Sequence, residues 1–97
     1  MPSLKISQSA SRNLEKIANL SFLIWGEKQT HDYLEELEKA FYLLLDNPYL
    51  GKERTDIKPG FCCLVIKKHI IFYQTNDDTV EILRILHGCM DVTPHFL

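Results

Sequence analysis

The chain has 97 residues with 45% apolar and 25% charged side chains, the proportions of one ordinary folded domain, 1–97, with a single core. Its charge of −2 excludes a general nucleic-acid coat, and no apolar run approaches the roughly 18 residues that a membrane span needs. Three cysteines, two of them adjacent at Cys62-Cys63, fit neither a disulfide framework nor a CxxC metal site. Met-Pro-Ser-Leu-Lys lacks the apolar centre of a signal peptide, so a cytoplasmic chain with reduced thiols is expected. Zinc, haem, P-loop and dinucleotide spacings do not occur.

In chain order, Leu4-Lys5-Ile6 alternates between Pro2 and Ser7 and reads as a short strand. Ser7 or Ser9 can cap the helix that follows, whose Leu14, Ile17, Ala18, Ser21 and Trp25 recur at helical spacing. Gly26 ends it. A second helix is predicted from Glu27 to Asp46 on the stripe Tyr33, Leu34, Leu37, Ala40, Phe41, Leu44 and Leu45, and Asn47-Pro48 stops it. So short a link implies an antiparallel helical hairpin. Tyr49 to Gly60 reads as a loop. Phe61–Ile66, His69–Tyr73 and Val80–His87 are three strands at hairpin spacing, and the segment from Gly88 to Leu97 carries too little periodicity to assign. The expected fold is therefore α+β, ordered β-α-α-β-β-β, with the helical hairpin on one face of a small antiparallel sheet.

Charge and apolarity are both uneven. Glu27 to Asp46 carries six acids against two lysines, and Gly51 to Tyr73 carries five bases against two acids. These are either two solvated faces or, for the basic stretch, a surface for an acidic partner or a phosphate. The last three strands are apolar on both faces: Phe61, Cys63 and Val65 oppose Cys62, Leu64 and Ile66, Ile70 and Phe72 oppose Ile71 and Tyr73, and Val80, Ile82 and Leu86 oppose Leu83 and Ile85. One helical hairpin covers only one sheet face, and Leu20, Phe22, Leu23, Tyr42 and Leu43 lie off the helical stripes. Either a protein partner covers this surface, or a curled sheet and the C-terminal tail do so internally.

Catalytic residue types are present but scattered. A small ribonuclease needs a base, an acid and cations, and His87 with Glu53, Arg54, Lys67 and Arg84 could supply them. A lone histidine at a strand end is more often structural. Cys62 or Cys63 is a weaker nucleophile candidate, because one of two adjacent strand cysteines faces the core. His31 falls on the acidic helix as a surface residue. Trp25 and Phe41 read as core anchors.

The ordered set Leu14-Glu15-Lys16-Ile17, Trp25-Gly26, Tyr33-Leu34, Asn47-Pro48, Leu50-Gly51-Lys52, Asp56-Ile57-Lys58-Pro59-Gly60, His69-Ile70-Ile71-Phe72-Tyr73, Val80 to His87 and Met90-Asp91 resembles the RelE/ParE superfamily of toxins from type II toxin–antitoxin systems, its ParE branch in particular. The resemblance spans nearly the whole chain. It implies a strand, a helical hairpin and an antiparallel sheet, no metal or cofactor, and a cytoplasmic hetero-oligomer with a ParD-like or other antitoxin whose flexible C-terminal segment wraps the toxin. Operator DNA would be met only through that antitoxin, and no membrane is involved. ParE-like members inhibit DNA gyrase, whereas RelE-like members cut mRNA on the ribosome; a non-toxic antitoxin-binding regulator is a further alternative. Relatives commonly carry Tyr-Arg-Ser where Phe61, Cys62 and Cys63 stand, arginine at Gln74 and a base at Cys89. The missing cations weigh against phosphate handling, so no catalytic residue is assigned; a ribonuclease would use His87, Arg54, Lys67 and Arg84. Antitoxin binding is expected at Leu20, Leu23, Leu43, Arg54, Lys67, Lys68 and Arg84 and on the open sheet face, and target binding at Lys58, His69, His87 and Met90.

Overall fold

The computed structural model describes residues 3–88. The chain runs β1 (Ser3–Ile6), α1 (Gln8–Trp25), α2 (Glu27–Asp46), β2 (Lys52–Glu53), β3 (Phe61–Ile66), β4 (His69–Asn76) and β5 (Thr79–His87). Ser7 is the cap of α1: its Oγ accepts from Ala10 N–H at 3.0 Å and donates to the Leu83 carbonyl at 2.8 Å. One side chain thus starts the helix and ties it to β5. Gly26 alone joins the helices, at φ +87, a conformation that side-chain-bearing residues rarely adopt.

The hairpin lies on one face of the sheet, as expected, but the sheet has five strands in the order β1-β5-β4-β3-β2. β1 runs parallel to β5, so the sheet is mixed rather than wholly antiparallel. β2 forms inside the segment that reads as loop, pairing Lys52 with Cys63 and Glu53 with Cys62. Two charged residues have no alternation to signal a strand; the neighbouring β3 edge makes them one.

Ala10 and Ile17 of α1 and Leu37, Ala40, Phe41 and Leu44 of α2 pack against Ile71, Tyr73, Val80, Ile82 and Ile85. Cys62, Leu64 and Ile66 join this core from β3, as their alternation requires. β5 departs from simple alternation. Phe72 pairs with Arg84 and Tyr73 with Ile82, which leaves Leu83 as the extra residue of a bulge. The bulge reverses the phase, so Ile85 joins Val80 and Ile82 on the helix side and Leu86 does not.

The second face is less open than the sequence suggests. Phe61, Phe72 and Leu86 alternate away from the helix-side core, yet all three are buried. Val65 on the same side of β3 remains exposed. The tail invoked as an internal cover lies outside the described residues.

Candidate functional site

Two adjoining concavities meet at the end of the sheet where β4 begins and β5 ends. His69 and His87 are directly paired across these strands, with ring centroids 5.5 Å apart and edge to face. Between them and α1 lies a cleft of about 540 Å³, bounded by Lys16, Leu20, Ile24 and Trp25 on the helix, by Lys68 in the β3–β4 turn and by Arg84 on β5. Asn13, on the same helix, accepts from the Ile85 N–H at 3.1 Å and fixes α1 against the strand just beyond the bulge.

The second concavity, about 420 Å³, lies between α2 and the β3–β4 turn, with Trp25, Asp32 and Tyr33 among its walls. The turn is clamped to the hairpin by its own side chains. Tyr33 Oη lies 2.5 Å from His69 Nδ1 and 3.3 Å from the Ile66 carbonyl. Lys67 reaches Glu36 at 3.1 Å, and Lys68 Nζ stands 5.3 Å from the centre of the Trp25 ring. Burial holds the His69 imidazole below its ordinary pKa, and the neighbouring His87 and Lys68 push in the same direction. Burial also raises the Tyr33 phenol, so it keeps its proton at neutral pH.

Arg54 lies at the other end of the molecule. Its N–H donates to the Phe61 carbonyl at 2.7 Å, while Ile66, His69 and His87 share the opposite end of the strands. Five residues of β3 separate the two ends, about 17 Å at the usual rise. The Arg54 guanidinium is engaged by Asp56 through Nε and Nη2 at 2.9 and 2.8 Å, which holds the arginine pKa up and the carboxyl below its usual range. Lys58 belongs to the same region, its Nζ 5.9 Å from the Phe61 ring centre.

The four residues that a ribonuclease would use are therefore not brought together. His87 and Arg84 line one cleft, Lys67 is bound to Glu36 beside the other, and Arg54 is paired with Asp56 far from both. The expected antitoxin-binding cations divide in the same way: Arg54 and Lys67 are committed within the chain, and Lys68 caps Trp25. Of the expected target residues, Lys58 stands apart from His69 and His87, and Met90 lies outside the described residues. Sequence reading placed Lys16 in a helix motif but assigned it no site role; its position one turn before Leu20 was the available signal. Leu20, Leu23 and Leu43 are all exposed, Leu23 at 79%. Phe22, Ile24 and Tyr42 are exposed as well. Trp25, read as a core anchor, is half exposed and forms a wall of both concavities, whereas Phe41 is buried. Cys62 faces the core and burial raises its thiol, which makes it a poor nucleophile. Gln74 donates from Nε2 to Glu81 at 2.8 Å. Cys89 is outside the described residues.

The family model of the ParE toxin of type II toxin–antitoxin systems matches residues 4–92. The chain belongs to the ParE toxin family.

Toxin ParE1 of Mycobacterium tuberculosis is 35% identical over 88 residues, covering 90% of each chain. Toxin ParE1 of Caulobacter vibrioides is 28% identical over 95 residues, covering 98% of each. A solved chain described as the chromosomal ParDE TA system from P. aeruginosa has the same fold, with a TM-score of 0.78 at 20% identity, covering 90% of this chain and 96% of that one. For this ParE-family chain, no group of three His, Cys, Asp or Glu among the described residues could hold a metal ion. None of its described helices is long and apolar enough to cross a membrane.

Proposed function

We propose that this chain is a ParE toxin that acts by binding rather than catalysis, with DNA gyrase as its target and a ParD-like or other antitoxin as its neutraliser. The observation that carries the reading is the exposed apolar surface of the helical hairpin, Leu20, Leu23, Ile24 and Leu43, on a domain of 97 residues. Each such side chain withdrawn from water contributes roughly 1.5–3 kcal/mol, whereas an exposed ion pair contributes roughly 0–1 kcal/mol. Affinity for an antitoxin then comes mainly from the apolar surface, and charge sets rate and register. A disordered antitoxin segment offsets its ordering cost by wrapping a large area of this kind. The complex works in the cytoplasm and meets operator DNA only through the antitoxin.

Gyrase is favoured over mRNA because Arg54 and Lys67, two of the four residues that a ribonuclease would use, are paired with Asp56 and Glu36 rather than gathered at His87. The test is induced expression in a bacterial host, read for DNA breaks and the SOS response against mRNA cleavage. Co-expression of the product of the reading frame adjoining the gene is the second arm. DNA damage relieved by that product is the expected result. Rapid codon-linked mRNA cuts without DNA damage would replace gyrase with the ribosome, and a harmless chain that still binds the neighbouring product would make it a regulator.

A further inference from the structure

We infer that the cleft between α1 and the His69–His87 end of the sheet is a binding site for a nucleoside diphosphate, a small-molecule function separate from the one proposed above. The cleft measures about 540 Å³, within the roughly 300–1,000 Å³ of small-molecule sites. Lys16, Leu20 and Ile24 follow one another at intervals of four residues, so one ridge of α1 presents a cation and then two aliphatic side chains. Leu20 and Ile24 are exposed, and Trp25 follows them at the helix end. Across the cleft stand Lys68, Arg84 and the imidazoles of His69 and His87, and no carboxylate lines it.

Charge and shape together select the ligand. Lys16, Lys68 and Arg84 bring three positive charges. A fatty acid answers them with a single carboxylate. A terminal phosphate carries roughly −1.5 to −2 and an inner one about −1, so a diphosphate matches all three. Inorganic pyrophosphate matches the charge but leaves Leu20 and Ile24 in water. A nucleobase is a flat plate whose face covers them. A longer nucleic-acid strand fits less well, because the adjoining concavity carries Asp32 and Glu36 and would repel its next phosphates. The chain has no P-loop spacing, so the phosphates meet side-chain cations rather than a ring of backbone N–H groups. With no carboxylate in the cleft to hold Mg²⁺, the metal-free nucleotide is the form that binds.

The test titrates the full chain with ADP in the presence of a chelator, by calorimetry and by Trp25 fluorescence. Trp25 is the sole tryptophan and borders the cleft. Lys68 Nζ stands 5.3 Å from its ring centre, so a phosphate that draws Lys68 away alters its surroundings. The expected result is saturable binding, roughly ten-fold or more tighter for ADP than for adenosine or pyrophosphate. Excess Mg²⁺ should weaken it, because the metal takes the phosphate oxygens that the cations need. Lys16→Gln with Arg84→Gln should weaken ADP roughly ten-fold or more. Leu20→Ser should weaken ADP and leave pyrophosphate unchanged. Lys52→Gln, on β2 at the far edge of the sheet, should alter neither. Circular dichroism checks that each variant is folded.

Pyrophosphate bound as tightly as ADP would overturn the inference and leave an adventitious ion only. Adenosine bound as tightly would show that the cations play no part. Tighter binding of the magnesium complex, of decanoate or of a short oligonucleotide would also sink the site as described. So would the absence of saturable binding, an equal loss in Lys52→Gln, or an affinity that the Lys16 and Arg84 pair leaves intact. These titrations use the purified chain alone, so a failure of the gyrase or antitoxin reading leaves their outcome unaltered.

Discussion

The backbone N–H of Gly51 donates to the hydroxyl of Tyr73 at 2.9 Å, and that hydroxyl donates in turn to the Pro48 carbonyl at 2.8 Å. One buried phenol on β4 thereby closes the turn that leads from α2 into β2. The approach is so close that a Cβ on Gly51 would stand 2.6 Å from Tyr73 Oη and 2.5 Å from the Cys63 carbonyl. Burial keeps the phenol protonated by raising its pKa, so the bond to Pro48 persists through neutral pH.

Gly51→Ala should therefore destabilise the domain by about 1–3 kcal/mol, because the Cys63 obstacle is backbone and cannot swing aside. Tyr73→Phe should cost about 1–3 kcal/mol by leaving two turn groups without their partner. Urea denaturation measures both. A neutral Gly51→Ala would show that the turn rearranges freely.

Acid should weaken the fold through His69. Its folded pKa lies below the ordinary 6.5, so the unfolded chain takes up a proton at higher pH than the folded one. This contribution is full above the ordinary value, is lost as pH falls through it towards the folded value, and then levels off. His69→Gln should flatten the change in urea midpoint between about pH 7.5 and 5.5. An identical slope in the variant would assign the effect to other groups.

Fold and docking surface should separate cleanly on the hairpin. Leu37 is fully buried, and Leu37→Ala should cost about 2–5 kcal/mol. Leu23→Asp, on the exposed side, should change stability by no more than about 0.5 kcal/mol. In the complex with the neighbouring product the order reverses: Leu23→Asp should shorten the lifetime without slowing encounter. An unchanged dissociation rate would remove Leu23 from the docking surface.

Asp77 begins the β4–β5 turn at φ +54, a region that costs L-residues energy. Asp77→Gly should raise stability by up to ~1 kcal/mol. A lowered thermal midpoint would mean that the Asp77 side chain stabilises the turn by more than its backbone costs.

The sequence by itself determined both helices, their glycine joint, the three long strands and the family. Each of these rests on local periodicity: Leu37, Ala40, Phe41 and Leu44 mark one helix face whatever they pack against, and Cys62, Leu64 and Ile66 mark one strand face. Local pattern also distinguished the off-stripe leucines from the core. Tertiary structure alone decided the rest. β2 exists because the β3 edge offers Lys52 and Glu53 a partner, and the Leu83 bulge moves Ile85 to the helix side because Ser7 and Asn13 hold the chain around it. It likewise decided which cations are available. Lys67 and Arg54 read as open charges until Glu36 and Asp56 are seen beside them, while Lys16, distant in sequence from Arg84, shares its cleft. Periodicity records which face a residue occupies; which charges meet depends on contacts between distant segments, which only the folded chain makes.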